Sequence, residues 1–279
     1  MLAYQHAYHA GNIADVHKHL TLFALQARLT QKKSAITWAD THAGRGIYPL
    51  NANETQRGGE FREGILPLWQ QREEFTKFPL LSDWLQALAR LNPDGELTQY
   101  PGSPWWLANG MRSEDRVELY ELHPGEHAHL EGMHSLPAGV RRHFGDGIEG
   151  LISHLPVATP RLCVLIDPSY EIKSDYTLVA EALGRIAAKV RHAVVAIWYP
   201  LLPEGRHEQL LEHVKKLPLR KVLRSELVYR RPEEGRGMYG SGMLVFNPPW
   251  QLDEVLAQSL DALSTLYQGR TSMNWLIPE

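Results

Sequence analysis

Cysteine is nearly missing from this sequence, as are long apolar runs and any strong excess of one charge. Cys163 is the single cysteine in 279 residues, so no intramolecular disulfide can form and a reducing, cytoplasmic setting is expected. No stretch approaches the roughly 18 apolar residues of a membrane span. The first twenty residues hold Asp15, Lys18 and four histidines, where a signal peptide would be apolar. A net charge of −3 argues against a chain held on nucleic acid by bulk charge alone, while leaving room for a local basic face. Internal repeats and low-complexity tracts are also missing. What remains, 43% hydrophobic and 22% charged, is the composition of an ordinary globular chain with a sizeable core.

What recurs is a short apolar run, a turn, and a helix-like segment. The runs are Ala35–Asp40, Val117–Glu121, Val140–Phe144, Leu162–Asp167, Ala193–Tyr199, Val222–Tyr229 and Met243–Asn247. Amphipathic stretches such as Leu178–Val190 and Glu208–Leu217 alternate with them, which predicts a parallel α/β sheet. The last two runs are joined by Arg230–Gly240, too short and polar for a helical crossover, so they should pair antiparallel. The expectation is one domain over residues 1–279, with a mostly parallel, seven-stranded, Rossmann-like sheet carrying one antiparallel strand. Residues 50–100 show helical periodicity (Phe61–Gln71, Ser82–Leu91) and little strand signal, and read as a small inserted helical subdomain. It ends at Tyr100-Pro101-Gly102-Ser103-Pro104, where Ser103 is the expected N-cap of the next helix. Met1–Leu20, dense in His, Tyr and Asn, reads as a functional N-terminal arm leading into a helix over Asp15–Leu29.

The chemistry should sit at the strand ends. The first run leads into Asp40-Thr41-His42-Ala43-Gly44-Arg45-Gly46, whose glycines let backbone approach a ligand at the carboxyl edge of the sheet. A dinucleotide fingerprint needs a third glycine where Pro49 stands. A D-x-x-x-G-x-G turn instead suits the methionine part of S-adenosyl-methionine. Glu121, at the end of the second run, is placed to accept from ribose hydroxyls, and Asp146 of Gly145-Asp146-Gly147 from an adenine amine. Three acidic strand ends in succession point to one nucleoside-bearing ligand.

The fourth run ends Asp167-Pro168-Ser169-Tyr170. A carboxylate, a rigid turn and an aromatic ring at a sheet edge can hold a flipped base, with Tyr170 stacking and Asp167 accepting from an exocyclic amine. An adenine amine is a poor nucleophile because its lone pair is delocalised. Accepting its protons in a fixed geometry aims that lone pair at a sulfonium methyl. Asn247-Pro248-Pro249-Trp250 fits the amino-methyltransferase pattern better in letters. It ends the reversed strand, however, away from the switch point where a cofactor would lie. Asp167 is therefore the catalytic candidate. The histidines His6, His9, His17, His19, His42 and His123 suggest a metal, but zinc would want cysteines or a fixed tetrahedral set, and there is no H-E-x-x-H. No metal is expected. Arg141-Arg142, Lys215–Arg224 and Arg230–Arg236 are candidates for gripping a phosphate backbone.

At this point the residues resemble a family. Tyr4-Gln5-His6-Ala7-Tyr8-His9-Ala10-Gly11-Asn12, Ala14-Asp15-Val16 and Lys18-His19 resemble the opening of the bacterial 23S rRNA adenine-N6 methyltransferases of the RlmJ type. Asp40–Gly44, Tyr100–Pro104, Glu121–Pro124, Trp198-Tyr199-Pro200 and Asn247–Trp250 extend the likeness to nearly the whole chain. The resemblance implies a Rossmann-like class I methyltransferase using S-adenosyl-methionine on one adenine of 23S rRNA, written in the family as adenine 2030. It implies cofactor contacts from His19, His42, Ser103, Glu121, Asp146, Gly147 and Asp167. Asp167 would be the catalytic acceptor, and Tyr4 would touch the RNA; His6, Lys18 and Tyr170 are further candidates for RNA contact. Ser169 departs from the family's usual second proline. The implied partner is 23S rRNA, protein-free or early in assembly, with no membrane and no obligate protein partner. Two rivals stay open. A DNA adenine-N6 methyltransferase would use the same clamp but should carry a domain that reads the major groove, and no segment is free for one. A non-catalytic RNA-binding relative would not need Asp167.

Overall fold

The computed structural model of the protein describes residues 5–232 and 237–279. The Asn12 side chain accepts from the Asp15 amide at 2.8 Å and so caps the N-terminus of α1 (Ile13–Leu29), which is buried along most of its length. β1 (Ile36–Asp40) follows and is buried on both faces, as a central parallel strand should be. Residues after it form a short ladder, β2 (Ile47–Pro49) against β3 (Gln99–Pro101). Between those two lie α2 (Asn53–Gly58), α3 (Ile65–Gln70) and α4 (Pro79–Leu91). The chain continues through α5 (Ser103–Gly110), β4 (Arg116–Glu121), α6 (Pro124–Glu131), β5 (Val140–Phe144), α7 (Gly147–Ser153), β6 (Arg161–Ile166) and α8 (Asp175–Lys189). It ends with β7 (Val194–Leu201), α9 (His207–Lys215), β8 (Val222–Val228), β9 (Gly240–Phe246), α10 (Leu252–Leu266) and β10 (Arg270–Ile277).

The main sheet has the order β10-β8-β9-β7-β6-β1-β4-β5. Strands β5, β4, β1, β6 and β7 are parallel, and β9 runs antiparallel between β7 and β8. The seven expected strands are therefore present with one reversed among them. The count is corrected to eight, because β10 adds antiparallel to β8 at the edge. Its polar residues Arg270, Thr271, Ser272 and Asn274 interrupt any apolar run, as suits a strand half-open to solvent. The start of α5 also differs by one residue. Gly102 is its N-cap and donates its amide to the Gly46 carbonyl at 2.7 Å, so Ser103 is the first helical residue.

Period-2 alternation sorts the sheet into two faces. Ile36 and Trp38, Val117 and Leu119, and Cys163 and Leu165 pack with α1, α4, α5 and α10. Val164 and Ile166, with Val195, Ile197 and Tyr199, pack under α8 and α9. On the first face Trp84 of α4 stacks on Trp106 of α5 with ring centroids 5.2 Å apart. The same alternation, carried to the strand tips, puts Asp40, Glu121, Asp167 and Trp198 on the α1 face at the carboxyl edge.

Candidate active site

The turn after β1 is built by close approach. Gly44 and Gly46 have φ of +63° and +84°, and a Cβ on Gly44 would lie 2.4 Å from the Tyr48 hydroxyl. The Gly44 amide donates to Glu121 Oε2 at 2.7 Å, and the His123 amide to Oε1 at 2.6 Å. Burial pushes the Glu121 carboxyl above its usual range, and these two donors oppose the shift. His42 Nδ1 lies 2.8 Å from Thr41 Oγ1, and burial pushes its imidazole down to about 4 against the pull of Asp146. Asp146 caps α7 by accepting from the Glu149 amide at 3.0 Å. A Cβ on Gly147 would stand 2.1 Å from the Thr41 carbonyl oxygen, so only glycine lets α7 start this close to the β1 tip. His42, Glu121, Asp146 and Gly147 are thus brought around one turn.

Asp40 completes that turn and was not among the sequence candidates, although it opens the D-x-x-x-G-x-G pattern. It is fully buried, with Oδ1 accepting from the His42 amide at 3.1 Å and Oδ2 without a hydrogen-bond partner. Ser103 lies beside it, and burial pushes the Asp40 carboxyl up to about 7 against the Ser103 hydroxyl and the His42 amide, which favour the charge.

The arm forms a second group. Lys18 Nζ lies 2.9 Å from Asp15 Oδ1 and 2.6 Å from Asp167 Oδ2. Asp15 Oδ2 in turn takes His6 Nε2 at 2.9 Å and the Gly11 amide at 2.9 Å. Burial works against the Lys18 ammonium, but the two carboxylates outweigh it and raise its pKa. Burial also opposes the Asp15 charge, yet His6 and Lys18 outweigh it and hold that carboxyl well below its usual range. For Asp167 burial prevails over Lys18, and its carboxyl stays above the usual range. Asp15 was missed as a site residue; its i,i+3 spacing to Lys18 was the available signal.

His19 and Tyr170 face inward. His19 is buried with Nδ1 2.8 Å from the Tyr100 hydroxyl, and burial holds its imidazole well below the usual range. Tyr170 is 4% exposed, packs 4.5 Å from the Tyr176 ring and donates its hydroxyl to the Trp198 carbonyl at 2.7 Å. Tyr4 lies outside the described residues. Asn247 sits at the opposite edge of the sheet, where its Nδ2 donates to the Arg191 and Ala193 carbonyls at 2.9 and 3.0 Å, ahead of β7. Trp250 beyond it is 84% exposed. Several basic candidates are already engaged: Lys215 with Glu212, Lys221 with Glu279, Arg224 with Glu226 and Arg230 with Glu63. Of the run Arg230–Arg236, residues 233–236 lie outside the described residues. Among the described residues no three His, Cys, Asp or Glu side chains are grouped to hold a metal ion. No helix among them is long and apolar enough to cross a membrane.

The order β5-β4-β1-β6-β7-β9-β8 with β9 reversed, and a glycine turn between acidic strand tips, define a Rossmann-like class I methyltransferase fold. Residues 33–277 match the family described as "Ribosomal RNA large subunit methyltransferase D, RlmJ", and the chain belongs to that family. It is 36% identical to "Ribosomal RNA large subunit methyltransferase J" of Haemophilus influenzae and 33% identical to the Escherichia coli protein of the same name, each over 100% of both chains. A crystal structure of a Legionella pneumophila protein superposes with a TM-score of 0.89 at 34% identity, covering 96% of this chain and 98% of that one.

Proposed function

We propose that the protein transfers a methyl group from S-adenosyl-methionine to the N6 amine of one flipped-out adenine of 23S rRNA, as a cytoplasmic enzyme. The observation that carries this reading is the part-buried Asp167 carboxylate at the β6 tip, next to the glycine turn of β1 and held by Lys18. The residues around that turn fit the cofactor. Asp40 offers a buried carboxylate oxygen without a partner, which suits the ammonium of a methionine moiety. Glu121, already ordered by two backbone amides, keeps lone pairs for ribose hydroxyls. His42, Ser103, Asp146 and Gly147 border the same space, and His19 supports it from behind through Tyr100. When bound, the cofactor supplies an electrophilic methyl on a sulfonium.

The chain's own residues then handle the amine. Ionised Asp167 accepts an N6 proton, localises the lone pair and takes up the charge that develops on nitrogen. A raised pKa makes that carboxylate a better acceptor than an ordinary aspartate. Lys18 and His6 order the arm against this carboxylate through Asp15, which supports their role at the RNA-facing side of the site. The relatives' names specify ribosomal RNA, which favours this substrate over duplex DNA.

The deciding experiment offers protein-free 23S rRNA and duplex DNA with labelled S-adenosyl-methionine and maps the modified base. N6-methyladenine at one rRNA position, with DNA unmodified, is the expected result. Label in DNA, or none in either, overturns the reading.

A further inference from the structure

Trp198 has no role in the site described above, yet both its carbonyl and its indole N–H are hydrogen-bonded. β7 runs beside β6 with Ile197 paired to Ile166, so the next residues, Trp198 and Asp167, are neighbours at the carboxyl edge. The indole lies on the α1 face, partly buried, with Lys18 Nζ 5.9 Å from its ring centroid. Its backbone carbonyl is taken by the buried Tyr170 hydroxyl at 2.7 Å. Its indole N–H donates to Ser241 Oγ at 3.0 Å.

Ser241 opens a buried polar chain. Its Oγ lies 3.0 Å from His17 Nδ1, and His17 Nε2 lies 3.1 Å from Ser225 Oγ. These three side chains tie α1, β9 and β8 together, and all three are buried. Burial pushes the His17 imidazole down to about 4, so at neutral pH the ring carries one N–H and one lone pair. The indole can only donate. The indole N–H donates to Ser241 Oγ, and the neutral His17 ring bridges Ser241 and Ser225 with one nitrogen donating and the other accepting. Filling this core would need only apolar side chains. A buried polar chain that ends on the indole N–H restrains the plane of that ring.

We infer that the Trp198 indole is a wall of the pocket that receives the target base, and that Ser241 and His17 are positioning residues that set its plane. The inference rests on the base methylation proposed above. Tyr170, the ring that the sequence offers for stacking, has its hydroxyl committed to Trp198 and its face to Tyr176. Trp198 is the neighbouring ring beside Asp167 and is only partly buried, with Tyr170 at a ring-centroid distance of 6.0 Å. Its indole meets any base through a π-face, while Asp167 selects for an amine.

The test compares Trp198→Ala, Trp198→Phe and Ser241→Ala with the parent in single-turnover methylation of protein-free 23S rRNA, and measures S-adenosyl-methionine affinity by calorimetry. Trp198→Ala should keep cofactor affinity within twofold and lose about 5- to 150-fold in rRNA kcat/KM, the value of one stacked base. Trp198→Phe keeps a ring but not the N–H, so it and Ser241→Ala should share a smaller loss, with Trp198→Phe deciding the matter where Trp198→Ala does not fold. Parental rRNA kinetics in Trp198→Ala, or in both of the others, overturn the inference, as does a loss that tracks cofactor affinity. A parent protein that forms no N6-methyladenine in rRNA overturns the functional reading and this inference with it. A parent that forms it while all variants match it overturns only the inference.

Discussion

The Lys18 ammonium lies 2.6 Å from the Asp167 carboxylate, joining the second turn of α1 to the tip of β6. Both side chains are largely out of water, at 6% and 12% exposure, so the pair is screened little by solvent. Burial raises the Asp167 pKa and Lys18 opposes that rise. Lys18→Met removes the main opposition and leaves only His6 against burial and the Asp15 charge. On the proposed mechanism methyl transfer requires ionised Asp167, so the rate should fall as pH drops through its pKa, and in the variant that fall should begin at a higher pH. A displacement of about one pH unit or more is expected for loss of an opposite charge at this distance. Single-turnover rates from pH 5 to 9 check it. Superimposed profiles would show that Lys18 does not set the ionisation of Asp167.

Glu121 makes a second case, because its carboxylate already orders the site. Glu121→Ala removes an acceptor from two backbone amides, Gly44 and His123, and with it the proposed partner of the ribose hydroxyls. Charge-assisted hydrogen bonds of this kind are worth roughly 1.5–3 kcal/mol, so S-adenosyl-methionine affinity should drop roughly ten- to a hundredfold. Isothermal titration of the folded variant measures this. Unchanged affinity would remove Glu121 from the cofactor site.

Much of this arrangement is legible in the sequence. Acidic residues at the ends of apolar runs mark the strand tips, and Gly44, Gly46 and Gly147 mark the close approaches between them. Three things were not readable. β10 pairs only through a long-range edge contact, and its alternating polar residues carry no continuous apolar signal. Asp40 sits in a recognised pattern, but its orphan oxygen exists only because α5 and the β1 turn bury it. The inward turn of Tyr170 depends on φ of +55°, a backbone state the sequence does not announce for a tyrosine. Side-chain chemistry is local and legible; which side of a ring faces solvent is set by packing.

Asp40 carries a stability prediction whose sign is fixed by its raised pKa. Folding favours the protonated acid, with a folded pKa of about 7. An unfolded aspartate titrates near about 3.9. The stability this group contributes is therefore fully present below the unfolded pKa and is lost as pH rises through the folded one. Asp40→Asn mimics the protonated acid at every pH. It should be more stable than the parent at pH 8, and the advantage at pH 8 should exceed that at pH 5 by roughly 2–3 kcal/mol. Urea unfolding of both proteins at the two pH values reads this directly. An advantage that does not change with pH would show that Asp40 titrates normally.

Two turns of similar lettering stand at opposite ends of the sheet, and their roles separate by mutation. Asn247 has φ of +49° and donates from Nδ2 to two carbonyls, Arg191 and Ala193, that precede β7. Asn247→Ala gives up both bonds and places a less tolerant residue in the left-handed region. It should cost roughly 2–4 kcal/mol of stability while methyl transfer by the folded fraction persists. Asp167 lies at the other edge, one strand from the glycine turn of β1. Asp167→Ala should retain the fold, because its removal relieves a buried carboxylate, although Lys18 keeps only Asp15 as its acidic partner. Turnover should fall by about two to three orders of magnitude, as for loss of a preorganised electrostatic group at a reacting centre. Single-turnover methylation of rRNA and thermal melting, run on both variants, separate the two effects. An active Asp167→Ala beside a dead but folded Asn247→Ala would move the chemistry to the far edge and overturn the assignment.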